Sequence, residues 1–556
     1  MARMRHSLWF AALLGAMALW FLPLQSYRLF NPDEGRYAEI SREMAASGDW
    51  VTPRLNALRY FEKPPLQYWA TAVAFEIFGE HDWSARLWVA LTGFLGLLLT
   101  GWIGTRLYGA RAGILAALVQ AGSLLYLGLA RISTLDMGLT VTLELALVGL
   151  LLIVEPDGKG TGESKGRGDG AGSRLGALLL ALGVALAFLS KGLVGILIPA
   201  AVAALYLLLR RDWGLLWRAR PWWTLLALAL FAAPWVWLIE QRNPGFAQFF
   251  FVHEQFTRFL TRVHQRYEPD WFFIPVLLLG FMPWTPLLPA ITRRCWRDVR
   301  SGDGGSLLLA IWVSFAFVFF SLSQSKLIPY ILPLFPALAM LAGRCLAQLE
   351  ARRLSRALWI SGAFWIALAV AVLWSWRMPA LALQLDVTAG SVESVLAAGI
   401  ILAGLITMAA AWLALRRGVL PAAILAALGS LVLFGVLLPA AQQLPRQRAM
   451  DALVAAAAAE LHPGSAFYCV DDYQQSIPFY LRRSCTLVGY RGELDFGLRQ
   501  EPARWVPDLG AFAARWRTET DALALIRPTS YAELRRMGLP MRVIYTAPSL
   551  VAVVRQ

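Results

Sequence analysis

The chain has 556 residues, is 58% hydrophobic and carries a formal net charge of +15. Its mean hydropathy of +0.55 is spread over many apolar runs, each long enough to cross a ~30 Å hydrocarbon core as a helix. That distribution excludes a soluble enzyme with a single anchor and predicts an all-α polytopic membrane protein. The positive charge reads first as cytoplasmic loops loaded with Lys and Arg, with an anionic lipid or phosphate partner as the second reading; nucleic acid is not expected.

Residues 7–24 form an apolar run behind Arg3 and Arg5. No small-x-small cleavage site follows, so the run reads as a retained first helix with its N-terminus inside. The next stretch, 31–69 (NPDEGRYAEISREMAASGDWVTPRLNALRYFEKPPLQYW), is the first long polar segment. Residues 36–47 within it read as an amphipathic helix lying along the membrane surface. Pro32-Asp33-Glu34 also fits a helix N-cap.

Further spans are expected near 84–107, 111–131, 134–154, 174–190, 192–210, 221–239, 271–290, 306–323, 327–348, 355–375, 393–415 and 419–440. With the first helix they make about thirteen. Arg pairs recur in alternate loops (Arg106 and Arg111, Arg210 and Arg211, Arg293 and Arg294, Arg352 and Arg353, Arg416 and Arg417). This alternation matches the positive-inside rule and predicts that residues 441–556 lie outside. The Gly-rich loop 156–173 lacks phosphate-loop spacing and reads as a flexible linker.

The expected division is a membrane unit, 1–440, whose external loop 25–83 carries the site, and a small external α/β domain, 441–556. In the latter an Ala-rich helix (449–461) is followed by strand-like runs at 466–470 and 485–489, with others near 522–526 and 542–554. Cys469 and Cys485 fall in this domain and could pair or stay reduced; Cys295 and Cys345 lie toward the inside and should be free.

Charges outside the positive-inside loops gather on the outer face. They include Asp33, Glu34, Arg36, Glu62 and Lys63 in the first loop, Asp136 at the start of a span, Lys191, the loop 240–270 with Arg258 and His264, and Lys326. Singly each has a bland reading: Lys191 can snorkel, and a lone histidine is more often a packed residue than a ligand. Jointly they describe a phosphate site beside carboxylates, since Lys and Arg suit phosphate oxygens and charge at membrane depth is costly.

The motifs NPDEGRYAEISREM, RYFEKPPLQYW, FLSKGLVG, HEQFTRFLTRVHQRYEPDWFF and SKLIPYILPLFP together resemble the membrane-embedded, lipid-phosphate-sugar-dependent glycosyltransferases of the GT-C fold. Within that group the chain is most similar to the bacterial aminoarabinose transferases. The resemblance covers most of 7–350 and is weaker in the tail. It implies an undecaprenyl phosphate-linked 4-amino-4-deoxy-L-arabinose donor, a lipid A phosphate acceptor, inversion at the anomeric carbon, and resistance to polymyxin and other cationic peptides. It places the enzyme in the bacterial inner membrane, among membrane lipids, with its site and C-terminal domain periplasmic, as a monomer.

In this reading Asp33, Asp136 and Glu34 are the catalytic candidates. Lys63, Tyr60, Arg258, Lys191, Arg36, Lys326 and Tyr330 hold the donor phosphate. No cofactor is required; a divalent metal such as zinc on Glu62 and His264 is the one candidate. Two alternatives stay open: a related transferase, for example of mannose, acting on a protein or glycan hydroxyl, and a flippase for lipid-linked sugars. A flippase should carry polar residues at the bilayer midplane and inverted repeats, and neither is visible.

Overall fold

The computed structural model of the chain describes residues 15–155, 171–257, 268–375 and 392–556. Arg258, His264, the start of the first apolar run and most of the Gly-rich loop lie outside these residues. Among the described residues, nine helices are long and apolar enough to cross a membrane. Phe273–Gly280 and Thr285–Arg300 form one further pair, bent by 105°, which makes up to ten. The expected number of about thirteen is therefore not reached on length and composition. Gly15–Gln25, Ala110–Gly122 and Val194–Arg210 coincide with the remaining expected spans but are shorter apolar helices. The run 111–131 breaks because Ser123 is extended, which splits it into Ala110–Gly122 and Leu124–Leu129.

The tail folds as a six-stranded sheet, β3 (Ala466–Val470), β4 (Thr486–Val488), β5 (Trp505–Val506), β6 (Ala522–Ile526), β7 (Met541–Thr546) and β8 (Val551–Arg555), in spatial order β5-β4-β3-β6-β8-β7. The strands β1 (Arg54–Leu55) and β2 (Leu58–Arg59) make a separate small hairpin in the first loop. β3 pairs in parallel with β4 and β6, and β8 is antiparallel to β6 and β7. The sequence ALALI of β6 is buried at every position, the pattern of a central strand covered on both faces. A disulfide joins Cys469 of β3 to Cys485, the residue just before β4, with Cα atoms 5.9 Å apart; Cys295 and Cys345 are free. The bridge closes a loop of 16 residues, so Cys469→Ser with Cys485→Ser is expected to cost about 3 kcal/mol of tail stability. Proteolysis of the folded protein with and without reductant checks this.

The first loop forms the helix Asp33–Ser47, with both acids in its first turn and Gly48 closing it in the left-handed conformation, φ +69. Asp33 is the first helical residue and caps nothing. The surface-lying helix expected at 36–47 is corrected here: its residues are buried almost throughout. Tyr37, Ile40 and Met44 share a core with Leu55, Leu58, Tyr473 and Ile477, so the helix lies between the membrane unit and the tail. At Gly35 a Cβ would sit 2.5 Å from the Ser476 backbone, so only glycine lets the two units approach this closely.

On the same helix Arg42 grips Glu39 with two bonds of 2.7 Å, and the Ala57 amide donates to both oxygens of Glu43 at 2.9 Å. Burial, then the neighbouring Glu39 charge, pushes the Glu43 carboxyl up to about 8. A carboxyl raised in the folded state stabilises fully below its ordinary value of 4.5 and loses that contribution as pH rises toward about 8. Thermal unfolding of the purified protein should therefore fall in midpoint across this window, and Glu43→Gln should flatten the slope.

Candidate active site

A cavity of about 510 Å³ opens between the first loop, three membrane spans (Leu135–Val154, Ala171–Lys191 and Ile328–Leu346) and the tail. Asp33, Arg36, Glu62, Lys63, Asp136, Lys191 and Tyr330 all line it, so seven of the expected residues come together. Each is delivered by a separate local event. Asp33 and Arg36 sit three apart on one helix face and pair at 2.6 Å. Asp136 lies in the first turn of the helix Leu135–Val154. Lys191 ends the helix Ala171–Lys191, where a cation meets the negative end of the dipole.

Every cation in the cavity already has a carboxylate. Lys191 Nζ is 2.5 Å from Asp136 Oδ1 and 4.4 Å from the centre of the Tyr330 ring. Lys63 Nζ donates to the Glu62 carbonyl at 2.8 Å and lies 3.3 Å from Glu254 Oε2. Arg36 bridges Asp33 to Glu493 of the tail, the latter at 2.7 Å, and Gln475 donates to Glu493 at 2.8 Å. Burial raises the Glu493 carboxyl, and the Arg36 guanidinium pulls it back. Of the two acids that Arg36 bridges, Asp33 is the accessible one, with 48% of its side chain exposed against 14% for Glu493.

Glu493, Gln475, Tyr490 and Gly492 complete the wall from the tail. Sequence reasoning missed them: they lie in a polar segment of an α/β domain, where no periodicity or clustering marks one carboxylate above another.

Three expected site residues lie elsewhere. Glu34 is fully buried and away from the cavity, which corrects its assignment as catalytic. Its oxygens take two bonds of 2.8 Å from Arg86, with further bonds from the Phe30 and Ser133 amides at 2.9 and 2.7 Å. Tyr60 is buried in the core beneath the helix Asp33–Ser47. Lys326 is buried and donates to the Glu268 carbonyl at 2.8 Å, while its neighbour Leu327 lines the cavity. Arg258 and His264 are outside the described residues. Among the described residues no three of His, Cys, Asp and Glu gather as metal ligands.

Two family models match the sequence. One, described as dolichyl-phosphate-mannose-protein mannosyltransferase, covers residues 7–250. The other, described as the aminoarabinose transferase C-terminal domain, covers residues 453–555. The undecaprenyl phosphate-alpha-4-amino-4-deoxy-L-arabinose arabinosyl transferase of Pseudomonas aeruginosa strain UCBPP-PA14 is 32% identical over 545 residues, 96% of this chain and 95% of its own length. The chain belongs to this family of arabinosyl transferases.

The similarly named protein of Aeromonas salmonicida is 35% identical, but the match spans 63% of this chain and 62% of that relative. The crystal structure of ArnT from Cupriavidus metallidurans bound to undecaprenyl phosphate superposes with a TM-score of 0.87 at 34% identity, covering 98% of both chains. The architecture is thus the multi-pass GT-C fold that the resemblance implied. For the arabinosyl transferase family the geometry adds that both matched segments meet at one cavity, the first through Asp33 and the second through Glu493.

Proposed function

We propose that the chain transfers 4-amino-4-deoxy-L-arabinose from undecaprenyl phosphate to a phosphate of lipid A, at the outer face of the bacterial inner membrane. The observation that carries this reading is the pairing inside the cavity, where Lys191 faces Asp136 and Arg36 faces Asp33 and Glu493. A simple anion would have to strip a carboxylate from each cation and leave it unpaired, which is costly in a partly buried site. A donor head carrying both a phosphate and an ammonium can exchange partners pairwise. Its phosphate takes Lys191 or Arg36, and its ammonium takes the released Asp136 or Asp33.

In the proposed step an acceptor phosphate oxygen forms a bond to the anomeric carbon as the bond from that carbon to the undecaprenyl phosphate oxygen breaks. The electron pair leaves on the undecaprenyl phosphate, where Lys63 and Lys191 stabilise the growing charge. The acceptor is already an anion near neutral pH, so Asp33 orients it or holds the sugar ammonium. The working unit in this reading is a monomer.

Mass spectrometry of lipid A from donor-producing cells with and without the gene tests the reading. An aminoarabinose mass shift that depends on the chain is expected, together with polymyxin resistance; an unchanged spectrum overturns the acceptor. Running transfer by the purified protein with and without a chelator tests the metal expected on Glu62 and His264. The match of residues 7–250 to the mannosyltransferase model is the observation behind a second reading, transfer to a hydroxyl. In that case the purified protein would glycosylate a protein or glycan and leave lipid A untouched.

A further inference from the structure

A second polar cavity, of about 590 Å³, lies at the other end of the membrane helices. The helix Asp82–Tyr108 starts beside the tail, where the Tyr480 hydroxyl donates to Asp82 at 2.9 Å. Its 27 residues run about 40 Å, and the Tyr108 ring at the far end lies under Arg344. Arg344 in turn contacts Asp298 of the helix Leu288–Arg300. This last helix supplies half of the residues that line the cavity, and it is the second half of a pair bent by 105°. The pair therefore does not continue as one straight span.

Arg293, Arg294 and Arg297 from this helix and Arg353 from the neighbouring one converge on the cavity, against a single lining carboxylate, Glu350. Arg294 is held by Asp298 at 3.0 Å, and Arg353 is 3.8 Å from Glu350. Arg293 and Arg297 form no ion pair among the described residues. The rim carries Trp296, 57% exposed, and the lining includes the apolar Ala290 and Leu349. The positive-inside rule accounts for arginines at this face, but not for four guanidiniums turned into one concavity beside an apolar wall and an interfacial tryptophan.

We propose that this cavity is a binding site for the phosphate headgroup of an anionic phospholipid in the leaflet opposite the active site. Guanidiniums recognise phosphate oxygens as planar forks. Basic pockets between membrane helices suit lipids with one or two phosphodiesters. The apolar lining takes the start of the acyl chains, and Trp296 seats at the headgroup level. The site is independent of the sugar-transfer reading.

The test is native mass spectrometry of the purified full-length protein with added cardiolipin, phosphatidylglycerol or phosphatidylethanolamine. Wild type should retain the two anionic lipids over the zwitterionic one. Arg293→Gln with Arg297→Gln should lower that retention on the order of 30-fold, at about 1 kcal/mol for each cation near the surface. Arg352→Gln with Arg356→Gln removes the same charge from exposed positions on the same face, outside the cavity, and should leave retention near wild type. Arg293→Lys with Arg297→Lys keeps the charge that insertion uses and should lose several-fold, because the fork is gone. Equal retention of all three lipids, equal losses in the two glutamine pairs, or wild-type retention in the lysine pair overturns the proposal. Displacement of the lipid by millimolar inorganic phosphate would make it an ion site only, and overturns it equally.

Discussion

Asp33→Asn is expected to lower sugar transfer roughly 10–100-fold while the protein still inserts and still binds donor. The substitution keeps the shape of the side chain and removes its charge. Asp33 is the cavity carboxylate of the Arg36 bridge that ligand can most readily reach, and Arg36 would keep Glu493 as its partner. The arrangement should therefore survive the change. What disappears is one charge-assisted contact to the sugar ammonium or the acceptor, typically worth about 1.5–3 kcal/mol, or roughly 10–100-fold in rate. A hydroxyl acceptor would instead need Asp33 as a general base, with losses up to about 10⁴-fold. Single-turnover transfer with labelled donor, alongside a donor-binding measurement, separates the outcomes. Undiminished turnover would remove Asp33 from the mechanism.

Arg86→Met is expected to have the largest effect on stability, about 3–5 kcal/mol. All five N–H groups of Arg86 are used: two bond Glu34 and three bond the carbonyls of Leu24, Tyr27 and Arg28. Its guanidinium also stacks 3.9 Å from the centre of the Tyr27 ring. Removing it strands the Glu34 charge in a site with no exposure. Glu34 also accepts from the Ser133 amide, three residues before Asp136, so the loss should reach the active site. Arg86→Met combined with Glu34→Gln should recover part of the stability, because no buried charge is then left alone. Fluorescence-monitored melting of the purified variants reads this out; a single variant as stable as wild type would show that the pair holds nothing together.

The contrast between Asp33 and Glu34 marks how far the sequence carries. The adjacent acids look equivalent in NPDEGRY, yet successive helical residues point about 100° apart. One therefore faces the cavity and the other the core. The joint appearance of Asp33, Arg36, Lys63, Asp136 and Lys191 was legible because their charges run against the topology rule for their face. Lys326 carried the same signal, but its ammonium is spent on the Glu268 carbonyl. Membrane spans were legible by hydropathy, except where an extended Ser123 or the sharp turn after Gly280 broke a run. The helix Asp33–Ser47 looked like a surface helix because its second apolar partner, the tail, is more than 400 residues away in the chain.

The seam between the first loop and the tail is stitched by specific pairs. Asn31 bonds Gln474, Asn56 bonds both the carbonyl and the amide of Cys485, Arg54 meets Glu501, and Gly35 admits the Ser476 backbone. Exchanging tails between relatives would mismatch these pairs and deliver a foreign wall to the catalytic cavity. The two segments should therefore drift together over evolutionary time, and working chimaeras should require transplanting residues 31–59 along with the tail.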